Sequence, residues 1–198
     1  SKFKIDPKVS NAINEGKPLV ALESTLISHG LPYPENIKVA NDSIKAVEES
    51  GSVAATIGII NGEIIIGLND EEINILATSK NIDKVSLHNI SLSIYEKKHA
   101  ATTVATTINI ASKIGINFFA TGGIGGVHLG AEKNSDVSAD LTQLSRNKMF
   151  VISSGAKSIL DLEKTFEKLE TFGIPRIAYN SDFMPGFWYE ETNFKVDK

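Results

Sequence analysis

Four short apolar runs, separated by segments of helical or turn character, constrain the fold of this chain more than any other feature. The runs are Pro18–Leu22, Ala54–Ile60, Asn117–Ala120 and Met149–Ile152. Continuous apolar runs of this length are typical of strands that are buried on both faces of a sheet. A helical repeat of apolar residues lies between the first two runs, at Ile37, Ala40, Ile44 and Val47. Strands that alternate with helices predict an α/β fold.

A turn signal indicates that the sheet is mixed. Asn61-Gly62 separates the run Ala54–Ile60 from a second apolar segment, Glu63–Ile66. Asn-Gly between two such segments is the strongest short-range signal for a β-hairpin, whose strands are antiparallel. We therefore expect a mixed, largely parallel sheet flanked by helices on both faces. A length of 198 residues is enough for one such unit, so a single α/β domain over residues 1–198 is expected.

Local patterns predict further elements. Helices are expected over Lys8–Glu15, from about Glu35 to a stop at Gly51, over Asp70–Thr78 behind an Asn69/Glu72 cap, and from Ser158 or Asp161. A helical pattern also begins with Ala100–Val104, ahead of a stop at Gly115. Short extended pieces are expected at Lys84–Ser86 and Arg176–Tyr179.

The composition bears on the partners, the covalent chemistry and the location of the chain. A formal net charge of −4 and a pI near 5.6 argue against a nucleic-acid polymer as partner. No apolar stretch is long enough to span a bilayer, and Ser1–Lys4 lead into no signal-peptide core. The absence of cysteine excludes disulfides and thiolate metal sites and fits a reducing compartment. The expected location is the cytoplasm, away from membranes.

The glycine-rich stretch Thr121–His128 follows the third apolar run directly. Ligands of open α/β sheets collect where strands end in loops. Glycines at such a point permit positive φ and let an anionic group approach backbone N–H donors. A tight turn without a ligand is the alternative interpretation of the same residues.

Two other predicted strand ends carry a carboxylate and an amine. Glu23 follows the first apolar run, where partial burial would raise its pKa toward the range of a general acid or base. Lys157 lies in the turn after the fourth run, where a helix N-terminus and partial burial would favour the neutral, nucleophilic amine. The alternatives are a solvated or capping glutamate and a surface lysine. Together these residues suggest an enzyme that acts on a small anionic substrate.

The segment Asp136–Asp140 brings two carboxylates and a hydroxyl to a predicted helix N-terminus. Helix capping by acidic residues, worth about 1 kcal/mol, is the alternative to a ligand site here.

Five motifs resemble the pseudouridine-5′-phosphate glycosidase family, also known through the indigoidine-cluster protein A. They are Ala21–Thr25 through Gly30, Ala101–Val104, Ala120–His128, Asp136–Leu141 and Gly155–Asp161. The resemblance runs from about Ile5 to the C-terminus and keeps the order of the motifs. It implies an indigoidine synthase A-like α/β/α fold and reversible cleavage of the carbon–carbon bond between uracil and ribose 5-phosphate, a reaction of nucleoside catabolism. It also implies a divalent metal, typically manganese, and a homotrimer.

The resemblance assigns a role to individual residues. Lys157 resembles the nucleophile that forms a Schiff base with the sugar, and Glu23 the general acid or base. Asp136 resembles the carboxylate that holds the metal, partly through water. Residues similar to the substrate-binding ones of the family are Lys84, Val104, Ser138, Ala139 and Asp140. His128 is expected beside the substrate, with a less defined role.

The sequence departs from the family in length. Members run on for roughly half as long again past this tail, so the chain is expected to be the N-terminal two-thirds of a longer domain or a truncated form. The alternative function is therefore a catalytically silent protein that binds a sugar phosphate or nucleotide. A nucleotide-dependent kinase or transferase is weaker, because no Gly-Lys-Ser/Thr sequence ends the glycine stretch.

Overall fold

The computed structural model describes residues 3–198 and contains eight strands and eight α-helices within them. The strands are β1 (Lys4–Ile5), β2 (Leu19–Leu22), β3 (Val53–Ile60), β4 (Glu63–Ile66), β5 (Asp83–Val85), β6 (Ala100–Thr102), β7 (Phe118–Ala120) and β8 (Phe150–Ile152). The helices are α1 (Pro7–Glu15), α2 (Glu35–Glu49), α3 (Asp70–Thr78), α4 (Ile90–Tyr95), α5 (Val104–Lys113), α6 (Ala131–Asn134), α7 (Ala139–Arg146) and α8 (Leu162–Thr171). Ser1 and Lys2, in the part of the chain expected to lack a signal-peptide core, lie outside the described residues.

All eight strands form one mixed sheet, as the sequence predicts. Its main order is β1-β4-β3-β2-β7-β8, with β6 beside β3 and β5 beside β6. The pairs β3–β2, β2–β7 and β7–β8 are parallel, whereas β3–β4 is the predicted antiparallel hairpin. Asn61 and Gly62 both have positive φ, at 50° and 76°. A tight hairpin with the native strand twist requires this conformation, which explains why Asn-Gly identifies the turn.

Helices cover both faces of the sheet, which confirms the predicted layers. Alternate residues of β3, such as Ile57 and Ile59, pack with α1 and α5 in one buried cluster. Ile60, at the end of the same strand, packs with α2 and α3 in a second cluster on the other side. This division follows from the strand period of two, which directs successive side chains to opposite faces.

Helix boundaries follow the predicted capping signals closely. The side chain of Asn69 accepts a hydrogen bond from the Glu72 backbone, and that of Glu72 accepts one from the Asn69 backbone, which forms a complete capping box before α3. Gly51, the predicted stop for α2, has φ +84°. Asp161 caps α8, so of the two predicted starts the later one is correct.

The long strand β3 brings two other strands end to end, and this arrangement positions the site. The first half of β3 pairs with β2 in parallel, and its second half pairs with β6 in the antiparallel direction. The carboxyl ends of β2 and β6 therefore point at one another. The hydroxyl of Ser24 accepts a hydrogen bond of 2.8 Å from the Thr102 backbone, and that of Thr25 donates to the Thr102 carbonyl at 2.8 Å. These buried bonds fix the junction.

Two sequence-based predictions are wrong. Ala100–Thr102 is strand β6 and not the start of a helix, because pairing with β3 and β5 buries all three residues; α5 begins only after the Thr103 cap. Arg176–Tyr179 is not a strand. Its backbone bonds instead join Arg176 to Asp197 and Ala178 to Lys198, while the Ile177 and Tyr179 side chains are exposed. Between β2 and α2 the chain forms a π-helix at Leu26–Gly30.

Within residues 3–198, no helix combines the length and the apolar character needed to cross a bilayer.

Candidate active site

The carboxyl ends of five strands surround one region of the molecule. Strands β2, β7 and β8 run parallel to each other and end on one side of it, while β5 and β6 run parallel to each other and end opposite β2. The predicted site residues follow these ends: Glu23 after β2, the glycine stretch after β7, and Lys157 in the loop after β8. Such an edge is where open α/β sheets bind ligands.

Glu23 is held at the centre of this region. Its side chain is half-buried, and its Oε1 accepts a hydrogen bond from the hydroxyl of Thr121. Burial raises the pKa of the Glu23 carboxyl above its ordinary value, and the negative charge of Asp140 contributes in the same direction. The Thr121 hydrogen bond and the positive charges of Lys157 and Lys84 oppose the shift. The carboxyl group is therefore poised to remain protonated at a higher pH than an exposed glutamate.

Lys157 is fixed by its backbone close to the glycine stretch. Its N–H donates to the carbonyl of Ile124 at 3.0 Å, and the preceding Ala156 forms a parallel bridge with the same residue. The side chain is half-buried, and Lys157 forms no ion pair with a carboxylate of the described chain. Its charge nevertheless acts on Glu23. The predicted acid and amine thus lie near one another.

The glycines of the stretch allow close approach by neighbouring side chains. A Cβ at Gly125 would collide with the hydroxyl of Ser138 and the carboxylate of Asp140, and one at Gly126 would collide with Thr165. A Cβ at Gly123 would lie 2.6 Å from the ring of Phe187 in the aromatic tail. These positions therefore have a packing reason for glycine, in addition to any contact with a ligand.

Asp140 connects two elements of the site. Its Oδ1 accepts a hydrogen bond of 2.8 Å from the backbone of Ala105 in the first turn of α5, and its Oδ2 accepts one of 2.7 Å from Gly125. The residue is buried, and it lies in the first turn of α7 behind the Ser138 cap. The alternative interpretation, a capping segment, thus applies to Ser138, while Asp140 holds the N-terminus of α5 against the glycine stretch.

We expect Asp140→Asn to lower stability. The substitution replaces one carboxylate oxygen with an NH₂ group, which cannot accept the hydrogen bond that a backbone N–H donates to that oxygen. Leaving a buried donor unsatisfied costs about 2 kcal/mol, which lowers the melting temperature of a chain this size by about 4–8 °C. Thermal unfolding followed by circular dichroism measures the change. Asp182→Asn, at an exposed position, is the matched control and should melt as the wild type does. An equal melting temperature for Asp140→Asn would show that these bonds contribute nothing.

The predicted substrate residues Lys84 and Val104 lie in β5 and at the start of α5, the helix that follows the neighbouring strand β6. Lys84 is exposed and pairs with Ala101 of β6, while Val104 is buried and begins α5 after the Thr103 cap. The positive end of a helix dipole attracts anions, and Lys84 adds a positive charge near this helix N-terminus, where the N–H groups of Ala105 and Thr106 already donate to Asp140 and Thr103. This arrangement suits a phosphate group.

The remaining predicted residues lie at the outer edge of the candidate site. Asp136 is exposed, and its Oδ2 lies 4.0 Å from Nδ1 of half-buried His128. Ala139 is exposed at the start of α7. Among residues 3–198, no three His, Cys, Asp or Glu side chains form a cluster that could hold a metal ion. Asp136 and His128 therefore offer at most a partial ligand set.

The sequence does not reveal the polar residues that surround Glu23. Thr121, which binds its carboxylate, is recognisable only as the first residue of the glycine stretch, and no pattern assigns a role to Ser24, Thr25 or Thr102, which bind one another beside it. All four are polar residues at strand ends, and three of them are buried. Ser and Thr directly after an apolar run were the available signal, although nothing in one sequence reveals which backbone groups they bind.

The gathering of polar residues at the carboxyl ends of a mixed sheet places this chain in the ligand-binding α/β class. Residues 8–198 match the family model described as "Indigoidine synthase A like protein". The chain is 50% identical over 194 residues to pseudouridine-5′-phosphate glycosidase of Solibacter usitatus, and 50% identical over 190 residues to that of Geobacillus kaustophilus. It therefore belongs to the indigoidine synthase A-like family, which confirms the resemblance.

Solved structures agree with this assignment. The prealnumycin C-glycosynthase AlnA, in complex with ribulose 5-phosphate, superposes with a TM-score of 0.90 at 41% identity, over 98% of this chain and 63% of that one. An indigoidine synthase A-like protein of Thermotoga maritima gives 0.88 at 39% identity, over 98% and 64%. The chain matches almost throughout its own length but spans only 65% and 63% of the two curated relatives named above.

Proposed function

We propose that this protein cleaves the carbon–carbon glycosidic bond of pseudouridine 5′-phosphate, reversibly, to give uracil and ribose 5-phosphate. The observation that carries the proposal is the half-buried Glu23 carboxyl, with its raised pKa, beside the amine of Lys157. The curated relatives bear the name of this activity, and the glycosynthase AlnA, which binds ribulose 5-phosphate, supports a phosphosugar as the kind of substrate.

The bond that breaks explains why a lysine is needed. Ordinary glycosidases pair two carboxylates and expel a leaving group through oxygen or nitrogen. Here the leaving atom is a ring carbon of uracil, which would depart as a carbanion. An amine attached to C1′ donates its lone pair to that carbon as the bond breaks, so the sugar is left as an iminium and not as an unstabilised cation, while the uracil carbon keeps the bonding electrons.

The proposed reaction proceeds in three steps. The neutral Lys157 amine attacks C1′ while the bond from C1′ to the ring oxygen breaks, and protonated Glu23 donates its proton to that oxygen. The Glu23 carboxylate then takes a proton from the substituted nitrogen, whose lone pair forms a C=N bond as the bond from C1′ to uracil breaks. The uracil carbon keeps the electrons of that bond and takes up the proton from Glu23. Water finally adds to the iminium, which releases ribose 5-phosphate and the free amine.

The substrate phosphate is proposed to bind Lys84 and the N-terminus of α5, which begins at Val104. The bonds from Asp140 to Ala105 and Gly125 would hold this helix end in register with the glycine stretch. Ser138, Ala139 and His128 are proposed to contact the sugar from the outer edge of the site. A contact from Asp140 itself would add to the two hydrogen bonds that its carboxylate already accepts.

A divalent metal such as manganese would be held by Asp136, with His128 beside it. Residues 3–198 contain no cluster of three metal-binding side chains. Asp136 therefore suits an ion that keeps most of its water ligands, as small hard cations often do. Such an ion would neutralise charge on the phosphate and coordinate hydroxyl oxygens of the substrate. A homotrimer and a cytoplasmic location, both expected from the sequence, remain part of the proposal.

The second candidate is a catalytically silent protein that binds a sugar phosphate. The observation that favours it is the length of the match, since over a third of each curated relative lies outside it. Residues that complete the site in those relatives could belong to that portion.

The direct test is incubation of the protein with pseudouridine 5′-phosphate and a manganese salt. We expect stoichiometric release of uracil and ribose 5-phosphate, measured by chromatography, and the reverse reaction when both products are supplied. Binding of pseudouridine 5′-phosphate without any uracil release would favour the silent protein. If the protein neither bound pseudouridine 5′-phosphate nor released uracil from it, both candidates would be contradicted.

A further inference from the structure

Three buried hydroxyl groups lie where β2 and β6 meet, and the proposed reaction assigns no task to them. Ser24, Thr102 and Thr107 are all fully buried. The Thr102 hydroxyl oxygen lies 3.3 Å from that of Ser24 and 3.0 Å from that of Thr107. A buried hydroxyl is costly unless it is hydrogen-bonded, whereas valine would fill the space of Thr102 without that requirement. The hydroxyl of Thr102 therefore does more than fill the core.

Thr102 is the centre of this group, because it binds three separate elements. Its hydroxyl donates to the carbonyl of Ile57 in β3 at 2.8 Å. A hydroxyl has one proton, so the same oxygen can only accept from Ser24, which follows β2, and from Thr107 in α5. The Thr102 backbone N–H donates to the Ser24 hydroxyl, and its carbonyl accepts from that of Thr25, each at 2.8 Å. One residue thus holds β2, β3 and α5 together.

These bonds join the two halves of the proposed site. Glu23, the proposed acid, directly precedes Ser24 in the chain. Lys84, the proposed phosphate ligand, lies in β5, whose last residue pairs with Thr102. Thr103, which follows Thr102, caps α5, the second element of the proposed phosphate site. The position of the acid relative to the phosphate therefore depends on Thr102.

We propose that Thr102 is a positioning residue, which holds the Glu23 acid in register with the phosphate-binding end of the site. The inference rests on the proposed function, because it concerns the same acid and the same substrate. A substrate that is anchored by its phosphate has its sugar at a fixed distance from Lys84 and α5. Displacement of a reacting group by about 1 Å can slow a reaction about 100-fold, so a loosened junction lowers turnover more than binding. Thr102 itself is fully buried, so it acts through Glu23 and not by contact with the substrate.

Two substitutions at Thr102 separate the hydroxyl from packing. Thr102→Val keeps the shape of the side chain but leaves the Ile57 carbonyl and the Thr107 hydroxyl without this partner. We expect kcat for pseudouridine 5′-phosphate to fall about 10–100-fold, while the dissociation constant for ribose 5-phosphate, measured by calorimetry, changes by less than about threefold. Thr102→Ser keeps the hydroxyl, so its kcat should stay within about threefold of the wild type. Equal losses of kcat in both variants, or weaker binding that accounts for the loss, would overturn the proposal.

Thr171→Val is the matched control, because it removes a hydrogen bond of the same kind and length. The exposed Thr171 hydroxyl donates to the Glu167 carbonyl at 2.8 Å, at the end of α8. Its kcat and dissociation constant should equal those of the wild type. A similar fall of kcat in this variant would show that the loss of any such bond slows the enzyme, which would contradict a specific role for Thr102.

The pKa of Glu23 provides a second measurement, which needs no turnover. Burial is the main cause of its raised pKa. The other groups that act on the carboxyl are those of Thr121, Lys157, Asp140 and Lys84. A loosened junction admits water to the carboxyl, so Thr102→Val should lower this pKa toward its ordinary value, while Thr102→Ser should leave it as in the wild type.

Carbon-13 NMR titration measures the pKa, with Glu23→Gln to assign the signal. If the chain releases no uracil, the glycosidase assignment fails, but the titration still tests the role of Thr102. The same Glu23 pKa in Thr102→Val and in the wild type would overturn that role.

Discussion

Ribose 5-phosphate followed by borohydride should attach a sugar-phosphate mass to the peptide that carries Lys157, and Lys157→Ala should abolish the attachment. Borohydride reduces an iminium to a stable amine, so it traps the proposed intermediate in the direction of synthesis. The half-buried position of Lys157, its lack of a carboxylate partner among the described residues and the nearby acid all favour its reaction over that of the exposed lysines. Peptide mass spectrometry identifies the modified residue.

Lys157→Arg separates nucleophilicity from charge. Arginine keeps the positive charge near Glu23 but cannot form the iminium, so this variant should also remain unlabelled. Turnover should fall to background in both variants, a loss of several orders of magnitude. Lys148→Ala, at an exposed position next to the β8 strand, is the control and should label as the wild type does. Labelling spread over surface lysines, with Lys157 spared, would refute the mechanism.

The strands that the sequence predicts best are those formed by continuous apolar runs. The runs that become β2, β3, β7 and β8 need no knowledge of their partners, because continuous apolar character alone separates them from amphipathic helices. The hairpin of β3 and β4 is equally local, since Asn61 and Gly62 supply the positive φ values that its turn requires.

Strand β6 shows where such prediction fails. Ala100 and Ala101 carry no β-branched or alternating pattern, and the sequence that follows is helical. Pairing with Gly58 and Ile59 on one side and with β5 on the other forces the extended conformation, and the Ser24 hydroxyl binds its last residue. These partners lie far away along the chain, so tertiary contacts override the local preference.

The site likewise contains residues whose position the sequence predicts and contacts that depend on the fold. Glu23 and Lys157 could be predicted because each follows an apolar run, and strand ends of an α/β sheet meet at one edge. The contacts that orient them could not. Thr121 binds Glu23 across 98 residues of sequence, and Asp140 reaches Ala105 across 35. The spacing of Asp136–Asp140 indicates a helix start, whereas the connection that Asp140 makes between α5 and the glycine stretch depends on packing.

Glu23→Gln should lower turnover of pseudouridine 5′-phosphate by about 10²–10⁴-fold, the usual contribution of a general acid or base. Glutamine keeps the shape of the side chain and can still accept the Thr121 hydrogen bond, but it has no proton to donate to the ring oxygen. The dissociation constant for ribose 5-phosphate should change by less than about threefold, since binding relies on other groups. Steady-state kinetics and calorimetry measure the two quantities. Glu190→Gln, in the exposed tail, should leave both unchanged.

The pH dependence distinguishes proton donation by Glu23 from a purely structural role. If the protonated acid is the active form, the wild-type rate falls as pH rises through the pKa of Glu23, which burial has already raised. The Thr121 hydrogen bond lowers that pKa, so Thr121→Val should move this descending limb to higher pH. In Glu23→Gln the limb should disappear. A limb that stays in place in both variants would assign the titration, and the acid, to another group.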